Sequence, residues 1–138
     1  MKLIERFMGQ CATVDEVLEL LRQEKIPFHL LRPTHDYQVA TNFRQSSTVP
    51  KDVTCSRFKK AKQMLAGNKD ISVESFRAIL QATHQKSKWP TQYSNIYDLK
   101  SGDVYVYHQH NFGKAVRLNL SDELKKGARE VRLAVLFK

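Results

Sequence analysis

Residues 93–110 read YSNIYDLKSGDVYVYHQH, and this stretch decides the class of fold. Tyrosine and asparagine at the odd positions from 93 to 97 alternate with serine, isoleucine and aspartate at the even ones, which is the two-residue period of a β-strand. Residues 100–103 have the serine, glycine and aspartate of a turn, and residues 104–110 form a second strand-like run. The stretch therefore predicts an antiparallel hairpin.

Three more elements are predicted between this hairpin and the end of the sequence. Residues 115–118 form a third strand after a turn at 111–113. Residues 121–126 form a short capped helix that Gly127 ends, and alternating apolar residues over 131–137 predict a last strand. We therefore expect mostly antiparallel sheet in the second part of the chain.

Helical patterns dominate the first part of the chain. Residues 13–24 carry apolar side chains at helical spacing and begin with the capping box Thr-Val-Asp-Glu. A second helix is predicted over 55–66 with Gly67 as its stop. A third is predicted from an N-cap at Ser72 to about Thr83.

Less regular segments separate these helices. Residues 1–8 resemble the tail of an earlier helix, and two short strand pieces are predicted between Ile26 and Asn42. Residues 45–52 are rich in serine and threonine and predict a loop. Helices followed by antiparallel strands define an α+β chain, and the length predicts a single domain over residues 1–138.

Composition narrows the classes of protein. The 138 residues are 41% hydrophobic and 27% charged, which is typical of globular chains. No run approaches the roughly 18 apolar residues of a membrane span, and the first residues soon meet charge, so we expect no membrane association and a cytoplasmic location. Lysine and arginine number 23 against 14 acidic residues, and the formal net charge of +9 favours an anionic partner such as nucleic acid.

The two cysteines have no CxxC spacing, so free thiols are expected. Cys11 precedes the capping box of the first helix, where we favour a packing role over a nucleophile. Cys55 lies at a helix start beside Arg57, and both features favour its thiolate, although a packing role fits about as well.

Histidine, tyrosine and lysine clusters allow further interpretations. His108 and His110 would share one face of a strand and could chelate a metal, but no third ligand is fixed by spacing, so we predict no metal site and no cofactor. Tyrosines on neighbouring strands could stack bases and lysine clusters could contact phosphates, although we favour sheet-core and solvated-face roles for them. These residues are Tyr93, Tyr97, Tyr105, Tyr107, Lys59, Lys60, Lys62, Lys125 and Lys126.

Three local motifs carry a family resemblance. Residues 37–43, YQVATNF, end a strand-like run in Thr-Asn, and residues 55–61, CSRFKKA, begin a helix with Ser-Arg-Phe. Together with the hairpin at 93–105 they resemble the C-terminal half of cysteine N-terminal-nucleophile amide hydrolases. That group includes penicillin V acylase, choloylglycine hydrolase and acyl-CoA:aminopenicillanic acid acyltransferase. The linear-amide C–N hydrolase branch is the most similar, over about residues 11–124.

The resemblance implies a fold and a chemistry. The fold is an αββα sandwich, of which this chain would be a C-terminal part. The reaction is hydrolysis or acyl transfer at a linear amide through an acyl-cysteine. By resemblance Asn42 donates to the oxyanion, and Arg57 orients and electrostatically supports the nucleophile. No cofactor is implied.

The chain also departs from the family pattern. The family's nucleophile is a cysteine that becomes the mature N-terminus, upstream of the matched region, and this chain contains no such segment. We therefore expect the chain alone to be inactive. It would be a subunit that needs a partner chain, a fragment that self-associates through exposed sheet, or a truncated or degenerate copy. The alternative is a small basic, non-catalytic module that binds an anionic partner such as nucleic acid.

Overall fold

The structure, a computed structural model, describes residues 5, 7, 9–28, 30, 35–43 and 52–138. The chain divides into two units, Met1–Asp36 and Tyr37–Lys138. Helix and antiparallel sheet are both present, which confirms the α+β class. The prediction of one domain stays a prediction.

The first unit contains helix α1, Val14–Gln23. The Glu16 amide donates to Thr13 Oγ1 at 3.3 Å, and Glu16 Oε2 accepts from the Thr13 amide at 3.1 Å. This reciprocal pair satisfies two amides that a helix start leaves without partners. Leu18 is the buried residue of the helix. The predicted helix and capping box are confirmed.

Two helices open the second unit. Helix α2 spans Ser56–Ala66 and ends at Gly67, and helix α3 spans Val73–Thr83. The Ser72 hydroxyl accepts from the Ser75 amide at 3.2 Å, so the predicted N-cap is confirmed. The two helices contact each other, and α3 also contacts the sheet.

The sheet has three antiparallel strands in the order β1-β2-β3. They are β1, Tyr93–Asp98; β2, Asp103–His108; and β3, Val116–Asn119. The predicted hairpin and third strand are confirmed. Tyr93 pairs with His108 and Asp98 with Asp103, so the register fits the turn at Gly102, whose φ of 72° favours glycine.

Paired residues of an antiparallel sheet share a face, so the register assigns each side chain to one of two faces. The first face packs Ile96 and Tyr107 with Phe112, and Val73 and Leu80 of α3 cover this cluster. This arrangement is the core of the unit. The second face carries the side chains of Tyr93, Asn95, Tyr97, Val104, Val106, His108, Val116 and Leu118.

The chain ends in two helical segments. Helix α4 spans Leu120–Lys125, as predicted to within a residue, and Gly127 follows it with φ 72°. The predicted strand over 131–137 is wrong, because Leu133–Phe137 forms a 3₁₀ helix. The Val135 amide donates to the Arg132 carbonyl at 2.9 Å, so this backbone bonds within itself.

The strand pieces predicted between Ile26 and Asn42 are not found in the described part of that stretch. Residues 35–43 pair with no described strand. Of the first piece, Leu31 lies outside the described residues. The predicted loop at 45–52 also lies outside them except for Asp52, as does the predicted helix tail at 1–8 apart from residues 5 and 7, which are helical.

Candidate functional site

Two of the motifs lie side by side in the second unit. The segment 37–43 lies against the start of α2, where the Phe43 and Phe58 rings meet edge to face with centroids 5.0 Å apart. Thr41 Oγ1 donates to Cys55 Sγ at 3.4 Å. The Thr-Asn and Ser-Arg-Phe motifs, which are separated by residues 44–54 in sequence, are therefore in direct contact.

Cys55 is the half-buried N-cap residue of α2. A hydrogen bond from the Thr41 hydroxyl is the largest cause that lowers the pKa of the Cys55 thiol, and the nearby amides of Phe58 and Arg57 and the Arg57 guanidinium add smaller effects. Partial burial opposes this shift. The environment thus favours the thiolate, as expected for a helix start beside a cation.

Arg57 lines an open cavity of about 320 Å³ between residues 38–41 and the two helices. Its guanidinium forms no ion pair or side-chain hydrogen bond with another described residue. The cavity walls are largely apolar, with Thr41, Thr83 and Gln38 as their polar members. The apolar lining residues are Val39, Ala40, Ala61, Leu65, Ile79 and Leu80. The arrangement could hold an acyl group with its polar end near Arg57.

Asn42 lies beside this cavity and does not line it. Its side chain is exposed, whereas its neighbours Thr41 and Phe43 are half-buried. The Phe43 amide donates to the Thr41 carbonyl at 2.9 Å, which makes a tight turn around Asn42. The structure therefore brings Thr41, Cys55 and Arg57 together and leaves the Asn42 carboxamide in solvent.

Thr41 is the member of this site that sequence reasoning missed. The hydrogen bond from its hydroxyl is the largest cause of the lowered pKa of Cys55. Thr41 and Cys55 are 14 residues apart, and no spacing rule for helices or strands connects them. The Thr-Asn motif contains this threonine, but the resemblance assigns a role to its asparagine alone.

The other cysteine lies in the first unit. Cys11 is a half-buried free thiol near Gln10, Glu16 and Leu20, in a shallow depression along α1. Cys55 is also a free thiol, so the prediction of unpaired cysteines is confirmed.

The two candidate histidines do not share a strand face. Strand β2 ends at His108, and Gln109 and His110 both have positive φ values, 46° and 65°, which turn the chain. His108 stacks on Phe137, and His110 lies against His84 with ring centroids 4.7 Å apart. The predicted shared face is therefore wrong. No group of three metal-ligating side chains occurs among the residues that the structure describes.

The tyrosines divide between the two faces of the sheet. Tyr107 is buried in the core and Tyr105 packs against it, which confirms a sheet-core role for these two. Tyr93 and Tyr97 are exposed on the opposite face. The four rings therefore form no common stacking surface.

The lysine clusters also differ. Lys125 and Lys126 form ion pairs along α4 with Asp122 and Glu123, at 2.9 and 2.6 Å. The exposed ammonium groups of α2 form no ion pair with a described residue; they belong to Lys59, Lys60 and Lys62.

Comparisons with protein-family models, with curated proteins and with solved structures find no match to this chain. Within the described ranges, each helix is too short or too polar to traverse a lipid bilayer.

Proposed function

We propose that the chain is the C-terminal portion of an N-terminal-nucleophile amide hydrolase and supplies Asn42 and Arg57 to an acyl-transfer site. The observation that carries this proposal is the 3.4 Å contact of Thr41 with Cys55, because it joins two of the three motifs on which the resemblance rests. The packing of α3 on one antiparallel sheet, with α2 against α3, is compatible with part of an αββα sandwich.

The proposed chemistry uses a cysteine thiolate from the region upstream of the matched motifs. Its sulfur attacks the amide carbonyl carbon, the C–N bond breaks as the leaving amine takes a proton, and water then hydrolyses the thioester. The Asn42 amide would donate to the oxyanion, a contribution of about 3 kcal/mol. The Arg57 guanidinium would stabilise the thiolate.

The cavity beside Arg57 supports an amide with a modest apolar acyl group as substrate. Its volume of about 320 Å³ and its apolar walls suit such a group, and Arg57 has no described partner that would compete for its guanidinium. The exposure of Asn42 suits a residue whose partner is a substrate held from another chain or segment.

Intact mass spectrometry of the protein isolated from its own source at high salt tests the proposal. We expect a co-purifying polypeptide that begins with cysteine, and hydrolysis of N-acyl-p-nitroanilides by the complex. Asn42→Ala should lower kcat by roughly 100-fold, and Arg57→Lys should lower it less. Lys59→Ala, on the same helix, is the matched control and should leave kcat unchanged. A native chain of 16.0 kDa without such a partner and without activity would end the proposal.

A basic binding module is the second candidate function, and the lysines of α2, which form no ion pair with a described residue, favour it. Lys59, Lys60 and Lys62 are exposed, and the formal net charge is +9. Counterion release would make affinity for a single-stranded oligonucleotide fall steeply as salt rises. The triple variant K59A/K60A/K62A should remove about three phosphate contacts. The slope of log affinity against log salt concentration should then become shallower in proportion. An affinity for the oligonucleotide that does not change with salt concentration would exclude this function.

A further inference from the structure

We propose that two copies of this chain pair through the outer edge of β1 and form one continuous antiparallel sheet of six strands, three from each copy. The proposal concerns the edge of the sheet and does not rest on the amide hydrolase function.

The outer edge of β1 presents unpaired backbone groups. The Gln92 carbonyl accepts from the Gln109 amide and the Asp98 carbonyl from the Gly102 amide, both at 2.9 Å, so even-numbered residues of this stretch bond toward β2. The amide and carbonyl of Tyr93, Asn95 and Tyr97 therefore point away from β2. No described strand pairs with them. Such an edge is a template for another strand.

The two edges of the sheet differ in how they are protected. β3 has only four residues and carries Arg117 at its centre. β1 has six residues, YSNIYD, with no proline, lysine or arginine. Short strands, cationic side chains and prolines are common ways of blocking edge pairing. β1 lacks all three, which singles it out as the pairing edge.

Large apolar side chains are exposed on and beside β1. Tyr93 and Tyr97 are 57% and 62% exposed on the second face, and Trp89 and Leu99, which flank the strand, are 77% and 92% exposed. These four exposed side chains lie within eleven residues of sequence, and clustered exposed apolar side chains are typical of an interaction surface.

The sequence of β1 is self-complementary in one antiparallel register. When Asn95 lies opposite Asn95 of a second copy, Tyr93 lies opposite the second Tyr97 and Ser94 opposite the second Ile96. Aromatic pairs across strands are stabilising. Asp98 faces Gln92 of the second copy, so no like charges meet within the strand pair. Because β1 is complementary to itself in this register, a second copy of the chain is the favoured partner for this edge.

The pairing should strengthen with salt. Each copy has a formal net charge of +9, so two copies repel each other at low ionic strength, and salt screens this repulsion. A six-residue strand pair is also a small interface, which suits a reversible dimer at micromolar concentrations.

Sedimentation velocity at about 10 to 100 µM protein in about 50 and 500 mM NaCl tests the proposal. We expect a species of twice the 16.0 kDa chain mass, more abundant at high salt. Asn95→Pro removes an outward amide without breaking the β1–β2 ladder, and should abolish the dimer. Ile71→Lys removes a similarly exposed apolar side chain from a loop and should leave the dimer intact. Circular dichroism confirms that each variant is folded.

A charge exchange tests the register. Y93K/Y97K and Y93E/Y97E place like charges opposite each other, so each alone should be monomeric. Mixing them places opposite charges across the strands and should restore a dimer. A wild-type chain that stays monomeric throughout, a dimer that survives Asn95→Pro, or a mixture that fails to associate would overturn the proposal.

Discussion

Asp103 combines a charge with deep burial. Its side chain is 2% exposed, and its carboxylate accepts from Arg117 at 2.6 Å and from Asn119 Nδ2 at 3.1 Å. These two bonds, with a smaller effect of the nearby Ser101 hydroxyl, lower the pKa of Asp103 to about 2. A buried carboxylate is tolerated because these donors replace its lost water.

The low pKa of Asp103 predicts how stability depends on pH. Its folded pKa of about 2 is below the ordinary value of 3.8, so the stabilisation is fully present above pH 3.8 and is lost as pH falls toward 2. Asp103→Asn should lower the melting temperature at pH 7 and flatten the dependence between pH 4 and 2. Thermal unfolding across this range measures both effects.

Asp122→Asn is the matched control for this prediction. Asp122 pairs with Lys125 on the surface of α4, with 64% of its side chain exposed. Exposed pairs contribute little to stability, so this variant should unfold like the wild type. Equal acid sensitivity of D103N and the wild type would contradict the prediction.

Thr41 should control the reactivity of Cys55. Thr41→Val removes the hydroxyl that lowers the Cys55 pKa, so a smaller fraction of the thiol is ionised at neutral pH. The loss of one hydrogen bond worth about 1 kcal/mol predicts alkylation by iodoacetamide that is roughly fivefold slower. Mass spectrometry of the Cys55 peptide measures this rate across pH.

Thr83→Val provides the control, because the Thr83 hydroxyl lines the same cavity but donates to the Ile79 carbonyl at 2.8 Å. It should leave the Cys55 rate unchanged. If both threonine variants slow alkylation equally, the cause is altered packing and the assigned hydrogen bond is wrong.

Helix capping supplies a prediction at the scale of one element. Ser72→Ala removes the hydroxyl that accepts from the Ser75 amide at the start of α3. We expect the free energy of unfolding to fall by about 1 kcal/mol. Ser56→Ala, at the exposed first position of α2, should change it by only a few tenths of a kcal/mol. Urea unfolding of both variants measures the difference, and equal losses would contradict the capping role.

The predictable elements are those with strong local signals. Helices α1 and α3 begin at capping residues, α2 ends at Gly67, and the β1–β2 turn contains Gly102. Each signal acts within a few residues, so a sequence pattern can detect it. These helices and the hairpin could therefore be predicted.

The segments that were predicted wrongly are those whose conformation depends on a partner strand elsewhere in the chain. Residues 37–41 alternate like a strand, but no described strand pairs with them, and residues 38–41 line a cavity beside the helices. LAVLF at 133–137 is apolar at every position, so alternation does not distinguish a strand from a 3₁₀ helix. Whether a partner strand is available determines the conformation of each segment, and the local sequence does not contain that information.

The candidate site was predictable in part. The motifs indicated Asn42 and Arg57, and their roles remain a proposal. The contact of Thr41 with Cys55 depends on how the extended segment folds back on α2, which no spacing in the sequence encodes. The separation of His108 from His110 depends on two positive φ values in a turn, at Gln109 and His110. The identities of these two residues do not predict positive φ values.

Net charge supplies a prediction at the scale of the whole molecule. Screening of repulsion among charges that sum to +9 should raise the melting temperature by a few degrees as salt increases from about 50 to 300 mM. The variant K59E/K60E/K62E lowers the formal charge by two at each position and should show a smaller salt effect. A melting temperature that falls with salt would show that attractive ion pairs dominate instead.

The carboxylate of Asp103 has a mechanical consequence for the sheet. It holds Arg117 and Asn119 of β3, while Asn119 Nδ2 also donates to the Ser101 carbonyl in the β1–β2 turn at 3.3 Å. Turn and third strand are fastened at one point and must open together. In native-state amide exchange, the slow protons of these two segments should share one opening free energy and lose it together when pH falls toward 2.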